Sequence, residues 1–132
     1  MKGWPEAYVR FVELFNQGRY FESHEVLEKL WLRAGRDRFY QALIILAAAH
    51  VHAGRGNLRG FRRHLEQAAA MLEGYPPRFR GLDVDGLRGW IRRTLERFGA
   101  APEALPEAAA APPTLELSPP GSAAEVQEGE SP

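Results

Sequence analysis

Residues 37–53 read DRFYQALIILAAAHVHA, and their pattern indicates how the rest of the chain packs. Asp37 is a residue type that caps helix N-termini, and the residues after it are apolar on almost every side of a helical projection. A helix of this kind is normally central, because it has no broad polar face to present to water. Three consecutive alanines, residues 47–49, would let neighbouring helices approach closely. The stretch therefore predicts a buried helix around which other helices pack.

Helical spacing of apolar residues continues on both sides of this stretch. No part of the chain shows strict alternation with β-branched residues, so no strand is predicted. The sequence therefore predicts an all-α fold, a compact array or bundle of about five helices joined by short links. The predicted helices run from about Pro5 to Gly18, Tyr20 to Arg33, Asp37 to Ala53, Asn57 to Leu72, and from Asp83 or Asp85 to Gly99.

Charge divides the chain into two parts. Residues 1–99 hold all 17 Lys and Arg against 11 Asp and Glu, whereas residues 100–132 hold six Glu and no base. The second part is also rich in Ala and Pro and has few sizeable apolar residues, a composition typical of disorder. We therefore predict a helical domain over residues 1–99 and a disordered acidic tail over residues 100–132. The alternative is that the tail folds back across the arginines of the body as a competing anion.

Composition also limits the function classes. The 132 residues permit one domain, and 45% hydrophobic residues suffice for a core. Cysteine is absent, which excludes disulfides, thiol nucleophiles and thiolate metal sites. The chain begins without a signal-peptide pattern and has no apolar run of about 18 residues, so we expect no membrane association. We expect a soluble cytoplasmic protein.

The stretch YFESHEVLEKLW, residues 20–31, carries the polar chemistry of the predicted core. At 100° per residue His24 falls on the apolar side of this helix, with Glu28 one turn later at the edge. Glu25 falls on the polar side, where we expect it to be solvated. Because a buried imidazole needs a partner, the stretch predicts a place where polar groups enter the core.

The same stretch carries a family resemblance. Over about residues 5–99 the chain resembles a small prokaryotic family known as domain of unknown function 309. The resemblance implies a compact all-α fold in one soluble domain, with no assigned activity, cofactor or catalytic residue. The residues that carry it are Gly18, Tyr20, Phe21, Glu22, His24, Glu25, Glu28, Trp31, Gln41, His50, Gly56 and Asn57.

A metal site is one hypothesis for the His-Glu run. His24 and Glu28 are four residues apart, like the two ligands of the zinc protease motif HExxH, and Glu25 stands where the general base of that motif stands. A third ligand would come from His50 or His52, but Glu in place of the second His departs from the motif. We expect no cofactor and lean against an enzyme. The alternative is a divalent metal at His24, Glu28 and His50, in a metal-assisted hydrolase that uses His24, Glu25 and Glu28.

A polar pocket without metal is the second hypothesis. Six side chains could converge where the second helix, the third helix and the turn after it meet, and His-carboxylate pairs can perform acid-base chemistry. The structural alternative is that they form salt bridges and caps that hold the helices in register. These candidate site residues are His24, Glu25, Glu28, Gln41, His50 and Arg55.

Two further hypotheses concern partners. Arginines cluster around residues 55–63 and in the last helix and the loop before it, so nucleic-acid binding through the Arg-rich last helix is an alternative. No nucleic-acid-binding motif accompanies them. We favour a small binding or interaction module, with a protein partner or self-association. Most aromatic residues are expected in the core, with one or two left to line a groove for a partner helix or second subunit.

Overall fold

The computed structural model describes residues 3–100 and 111–121, apart from the side chains of residues 99 and 100. Five helices account for most of the described residues, so the predicted all-α class is confirmed. A two-stranded antiparallel hairpin, which was not predicted, pairs Arg78 with Asp83 and Phe79 with Leu82. The elements are α1 (Glu6–Asn16), α2 (Tyr20–Arg33), α3 (Arg38–Gly54), α4 (Leu58–Leu72), β1 (Arg78–Phe79), β2 (Leu82–Asp83) and α5 (Val84–Ala100).

Helix α3 lies at the centre, as its sequence predicts. It packs against α2 on one side and α4 on the other, while α1 packs on α2 and α5 on α4. Ala47 and Ala49 are fully buried, which is how α3 reaches close contact with its neighbours. Asp37 caps the helix as predicted, since its carboxylate accepts hydrogen bonds from the amides of Phe39 at 2.9 Å and Tyr40 at 3.1 Å.

Local residue types also set the end of α1 and the start of α4. Gly18 has φ of +79°, which glycine adopts at little cost, and Arg19 N donates to Leu14 O at 2.9 Å across the end of α1. Asn57 caps α4 through its Oδ1, which accepts from Gly60 N at 2.9 Å. Local residue types therefore decide where these helices begin and end.

The hairpin is tied to α1 and α3 through Arg80. This residue has φ of +48° in the turn, and its guanidinium forms two hydrogen bonds to the Asp37 carboxylate, at 3.0 and 2.8 Å. The same guanidinium lies over the rings of Phe39, Tyr40 and Phe79. Tyr8 completes the link by donating its hydroxyl to Arg80 O at 2.7 Å.

The region predicted as an acidic tail is described in part. Residues 101–110 and 122–132, with the disorder predicted for them, lie outside the described residues. Residues 111–121, which we call the C-terminal segment, lack helix and strand and lie against α1, the hairpin and α5. Leu115 is the anchor, with 6% of its surface exposed. Folding back onto the body is the alternative to the predicted disorder, but Leu115 was not indicated as an anchor, because two leucines among prolines give no helical or strand periodicity.

Among the described helices, none combines the length and apolar character that crossing a bilayer requires.

Candidate functional site

His50 lies in the core, where aromatic rings from the other four helices surround it. Its ring stacks on Tyr20 at 4.7 Å and on Trp90 at 5.7 Å, and meets Phe15 and Phe61 edge-on. Only 3% of the residue is exposed. Burial lowers the pKa of His50 below its ordinary value, although the hydrogen bond to the Leu46 carbonyl opposes the shift. The imidazole is therefore neutral at pH 7.

The hydrogen bonds of His50 fix its tautomer. Nδ1 lies 3.0 Å from Leu46 O, and because a carbonyl only accepts, Nδ1 carries the proton. Nε2 is then a bare acceptor, and it is buried with no partner among the described atoms. No carboxylate of residues 3–100 or 111–121 bonds to this ring, and His50 packs as a neutral side chain between the helices.

His24 lies apart from His50, on the outer side of α2 and α3. It is partly buried and stacks parallel to Phe21, with ring centroids 6.4 Å apart. Its Nδ1 is buried without a hydrogen-bond partner in the part of the chain that the structure describes. The ring borders a cavity of about 110 Å³, which we call the α2/α3 cavity. Its lining residues are Phe21, His24, Ala48, Val51, His52 and Arg55.

The six candidate residues do not share one cavity. His24 and Arg55 line the α2/α3 cavity, whereas Glu25 and Glu28 project from the exposed surface of α2. Neither carboxylate has an ion pair or hydrogen bond with any described residue, and His24 Nδ1 has no carboxylate partner among them. Gln41 lies half-buried on α3 and lines neither described cavity. Their roles in a ligand site stay predictions.

Two apolar side chains accompany these carboxylates on the surface of α2. Phe21 is 54% exposed and Leu32 is 50% exposed, and no other large apolar residue in the described ranges is exposed. At 100° per residue, positions 21, 25, 28 and 32 fall within about 60° of one another. We call these four residues the α2 stripe. The spacing could have been found from the sequence, but the exposure of Phe21 and Leu32 could not.

The metal hypothesis finds no ligand cluster. Across residues 3–100 and 111–121, no three His, Asp or Glu side chains come together in a way that could hold a metal ion. His52 and His64 form a pair, with ring centroids 4.6 Å apart. Asn57 Nδ2 donates to His52 Nδ1 at 3.0 Å, since Asn57 Oδ1 is already the acceptor for a backbone amide. Burial, with smaller contributions from His64 and Arg55, lowers the pKa of His52.

The arginines of the hairpin and of α5 have different tasks. Arg80 is paired with Asp37, and Arg88 donates to the carbonyls of Leu72 and Tyr75 at 2.9 and 2.8 Å, at the end of α4 and in the turn after it. Three others, Arg92, Arg93 and Arg97, are exposed on α5. Part of the basic cluster predicted to meet nucleic acid is therefore used to hold the fold together.

The comparisons with known proteins agree with the sequence motif. The model of the family "Domain of unknown function (DUF309)" matches residues 8–64, which run from α1 into α4 and include the α2 stripe. The chain is 34% identical over 74 residues to "Uncharacterized protein YpuF" of Bacillus subtilis (strain 168). This similarity covers 53% of the chain and 42% of YpuF, so the chain spans less than half of that relative's length. The resemblance to the family known as domain of unknown function 309 is thereby confirmed over residues 8–64.

Proposed function

We propose that this protein is a protein-interaction module whose α2 stripe binds a basic amphipathic helix of a partner protein. The observation that carries the proposal is the pairing of two exposed apolar side chains with two unpaired carboxylates on one stripe. Folding leaves single apolar residues exposed on any protein. Here, however, the only two large exposed ones in the described ranges share a face of one helix.

The spacing of the stripe suits a helix as its partner. Phe21 and Leu32 are eleven residues apart, which is about 16 Å along a helix axis. A partner helix would place apolar residues of its i, i+3, i+4, i+7 row against these two anchors. The α2/α3 cavity next to Phe21 offers a recess of about 110 Å³ for one such side chain. The apolar contacts would supply affinity at the centre of the interface.

The carboxylates of Glu25 and Glu28 favour a partner with positive charge. Glu25 and Glu28 lie between the two apolar anchors, and the described residues provide no cation to either of them. Lys29 is further round the helix by about 40° from Glu25, at the edge of the stripe. A partner that presents Lys or Arg between its apolar residues would pair with both carboxylates.

The same carboxylates disfavour a second copy as the occupant. In a symmetric dimer the same patch meets itself, so the stripe of one copy would face the stripe of the other. Four carboxylates would then come close together, and like charges repel. The described residues outside α2 offer no exposed large apolar anchor that could replace this contact.

Two synthetic helices with the same apolar row test the proposal. One carries Lys at its flanking positions and the other carries Glu, and fluorescence polarisation measures the affinity of each for the full chain. We expect binding of the Lys peptide only. Replacing Glu25 and Glu28 by Gln should weaken it by about 2- to 30-fold, since each exposed ion pair contributes about 0.2 to 1 kcal/mol. Phe21→Ser with Leu32→Ser should abolish it with little loss of stability.

Glu73→Gln with Glu96→Gln is the matched control, because these two exposed carboxylates lie away from α2. This control should leave the affinity for the Lys peptide unchanged. Equal binding of the Lys and Glu peptides would refute the charge argument. Unchanged affinity in the Phe21 and Leu32 variant would show that the stripe is not the binding surface.

A further inference from the structure

The C-terminal segment is held through its main chain. Asn16, the last residue of α1, donates from Nδ2 to Leu115 O at 2.7 Å and accepts from Leu115 N at 2.9 Å through Oδ1. One amide side chain thus satisfies both backbone groups of one residue. Main-chain bonds of this kind recognise an extended strand whatever its side chains are.

A second set of bonds holds the other end of the segment at the hairpin. Ser118 N donates to Gly81 O at 2.9 Å, and Ser118 O accepts from Trp4 Nε1 at 2.7 Å. Arg78 Nη2 donates to Ser118 Oγ at 3.0 Å, which is a contact to a side chain. We call the surface formed by Trp4, Asn16, Arg78, Gly81 and Trp90 the groove.

Trp90 extends the groove to the start of the segment. Its Nε1 donates to Ala111 O at 3.2 Å, so α5 also binds the main chain of the segment. Between these polar contacts, Leu115 joins the core and Leu117 packs partly against it. Prolines at 112, 113, 119 and 120 restrict the segment to extended conformations, which lowers the entropy lost on docking.

The segment does not fill the groove. A cavity of about 420 Å³ lies between residues 113–118 and the wall formed by the hairpin and α5. Thr114 and Glu116 border it from the segment, and Arg78, Trp90 and Arg93 border it from the body. The cavity is open to solvent, since Thr114, Glu116 and Arg93 beside it are exposed. The segment therefore leaves room in this cleft that a larger side chain could occupy.

The connection to α5 permits the segment to leave. Trp90 is ten residues before the end of α5, which is about 15 Å along the helix axis. Ten residues separate Ala100 from Ala111, and a chain of that length spans up to about 35 Å. The segment can therefore undock without any change in α5. A short tether keeps it near the groove at an effective concentration on the order of millimolar.

We propose that the groove is a binding site for an extended, proline-flanked peptide with a Leu-x-Leu core, and that the C-terminal segment occupies it as a tethered, displaceable ligand. This site is separate from the α2 stripe. The displacing peptide carries a larger side chain than threonine at the position of Thr114, where the cavity has room. Glu116 borders the same cavity as Arg78 and Arg93, so an acidic residue at that position suits the charge of the wall.

A labelled peptide with the sequence of residues 111–121 tests the proposal by fluorescence polarisation against the full chain. Leu115→Asp in the chain removes the apolar anchor and frees the groove. We expect this variant to bind the peptide at least about tenfold more tightly than the native chain, because the tethered competitor is gone. Adding Asn16→Ala to the freed chain should weaken binding by about tenfold through the loss of two hydrogen bonds. A peptide with Thr114→Tyr should bind more tightly.

A disulfide provides the complementary test. A Cβ atom at Gly3 would lie 3.5 Å from Pro120 Cβ, within the range of disulfides, and the native chain has no cysteine. Gly3 has φ of +103°, where a side chain is strained, so both redox forms are first checked for native circular dichroism. Gly3→Cys with Pro120→Cys should lose peptide binding when oxidised and regain it when reduced. Equal peptide affinity of the oxidised and reduced disulfide variant would overturn the proposal. So would a Leu115→Asp chain that has a native circular dichroism spectrum but does not bind the peptide.

Discussion

Removal of the Asp37 carboxylate should separate the two tasks that this residue performs. Asp37→Asn keeps an oxygen that can cap α3 but removes the charge that faces Arg80. Asp37→Ala removes both the cap and the ion pair. The Asp37 side chain is 22% exposed and the Arg80 side chain 28%, so solvent screens their attraction less than at an open surface.

The expected magnitudes follow from these contacts. Loss of an N-cap costs about 1 kcal/mol. The ion pair with Arg80, counted as one charge-assisted interaction because both side chains are partly exposed, contributes about 1.5 to 3 kcal/mol. We therefore expect Asp37→Ala to lower the free energy of unfolding by about 3 kcal/mol and Asp37→Asn by about half of that. Arg80→Met, combined with each variant in a double-mutant cycle, isolates the coupling between the two side chains.

Urea unfolding followed by circular dichroism measures these differences as shifts of the midpoint at constant slope. The pH dependence gives an independent check. Burial alone would raise the pKa of Asp37, but the hydrogen bonds from Arg80 and from the amides of Tyr40 and Phe39 hold the pKa below its ordinary value. The stabilisation is therefore present above about pH 3.9, the pKa of the unfolded chain, and is lost as the pH falls through the folded pKa.

Two outcomes would refute this reasoning. One is an Asp37→Asn variant as stable as the native chain at pH 7, which would mean that the ion pair contributes nothing. The other is a difference in the free energy of unfolding between the native chain and Asp37→Asn that stays the same in strong acid, where a protonated Asp37 and an asparagine are both uncharged.

Two other changes test the core and a helix cap. Burial lowers the pKa of His50, so on acidification the unfolded chain binds a proton before the folded chain does. The free energy of unfolding should therefore fall below about pH 6.5, by up to about 1.4 kcal/mol per pH unit. A His50→Phe variant that loses stability equally fast in urea unfolding between pH 7.5 and 5.5 would contradict this. Gly60→Ala should destabilise α4 by about 1 kcal/mol or more, since its Cβ would lie 2.6 Å from Asn57 Nδ2 and 2.9 Å from the ring of His52. Gly54→Ala, which meets nothing within 4 Å, is the thermal-unfolding control and should be neutral or stabilising.

The candidate site shows how far helical periodicity reaches. Helical periodicity over residues 20–31 predicts one helix with His24 on its apolar side and Glu25 in solvent. The helix and the exposure of Glu25 are observed, whereas His24 is only partly buried and borders a surface cavity. The same spacing could not tell which neighbour would meet each side chain. His50 was grouped with His24 because both lie near the α2/α3 contact, yet one packs among aromatic rings and the other borders a surface cavity.

Local sequence features are enough to predict the helices, the Asp37 and Asn57 caps and the central position of α3. These features depend on contacts within a few residues, such as the Asp37 carboxylate with the next turn of backbone, and on the periodic placement of apolar residues. Three observations require the folded chain: Arg80 pairs with Asp37, Phe21 and Leu32 stay in water, and residues 111–121 dock on Asn16. These pairings join residues far apart in the chain, and they exist only where packing has already brought two surfaces together.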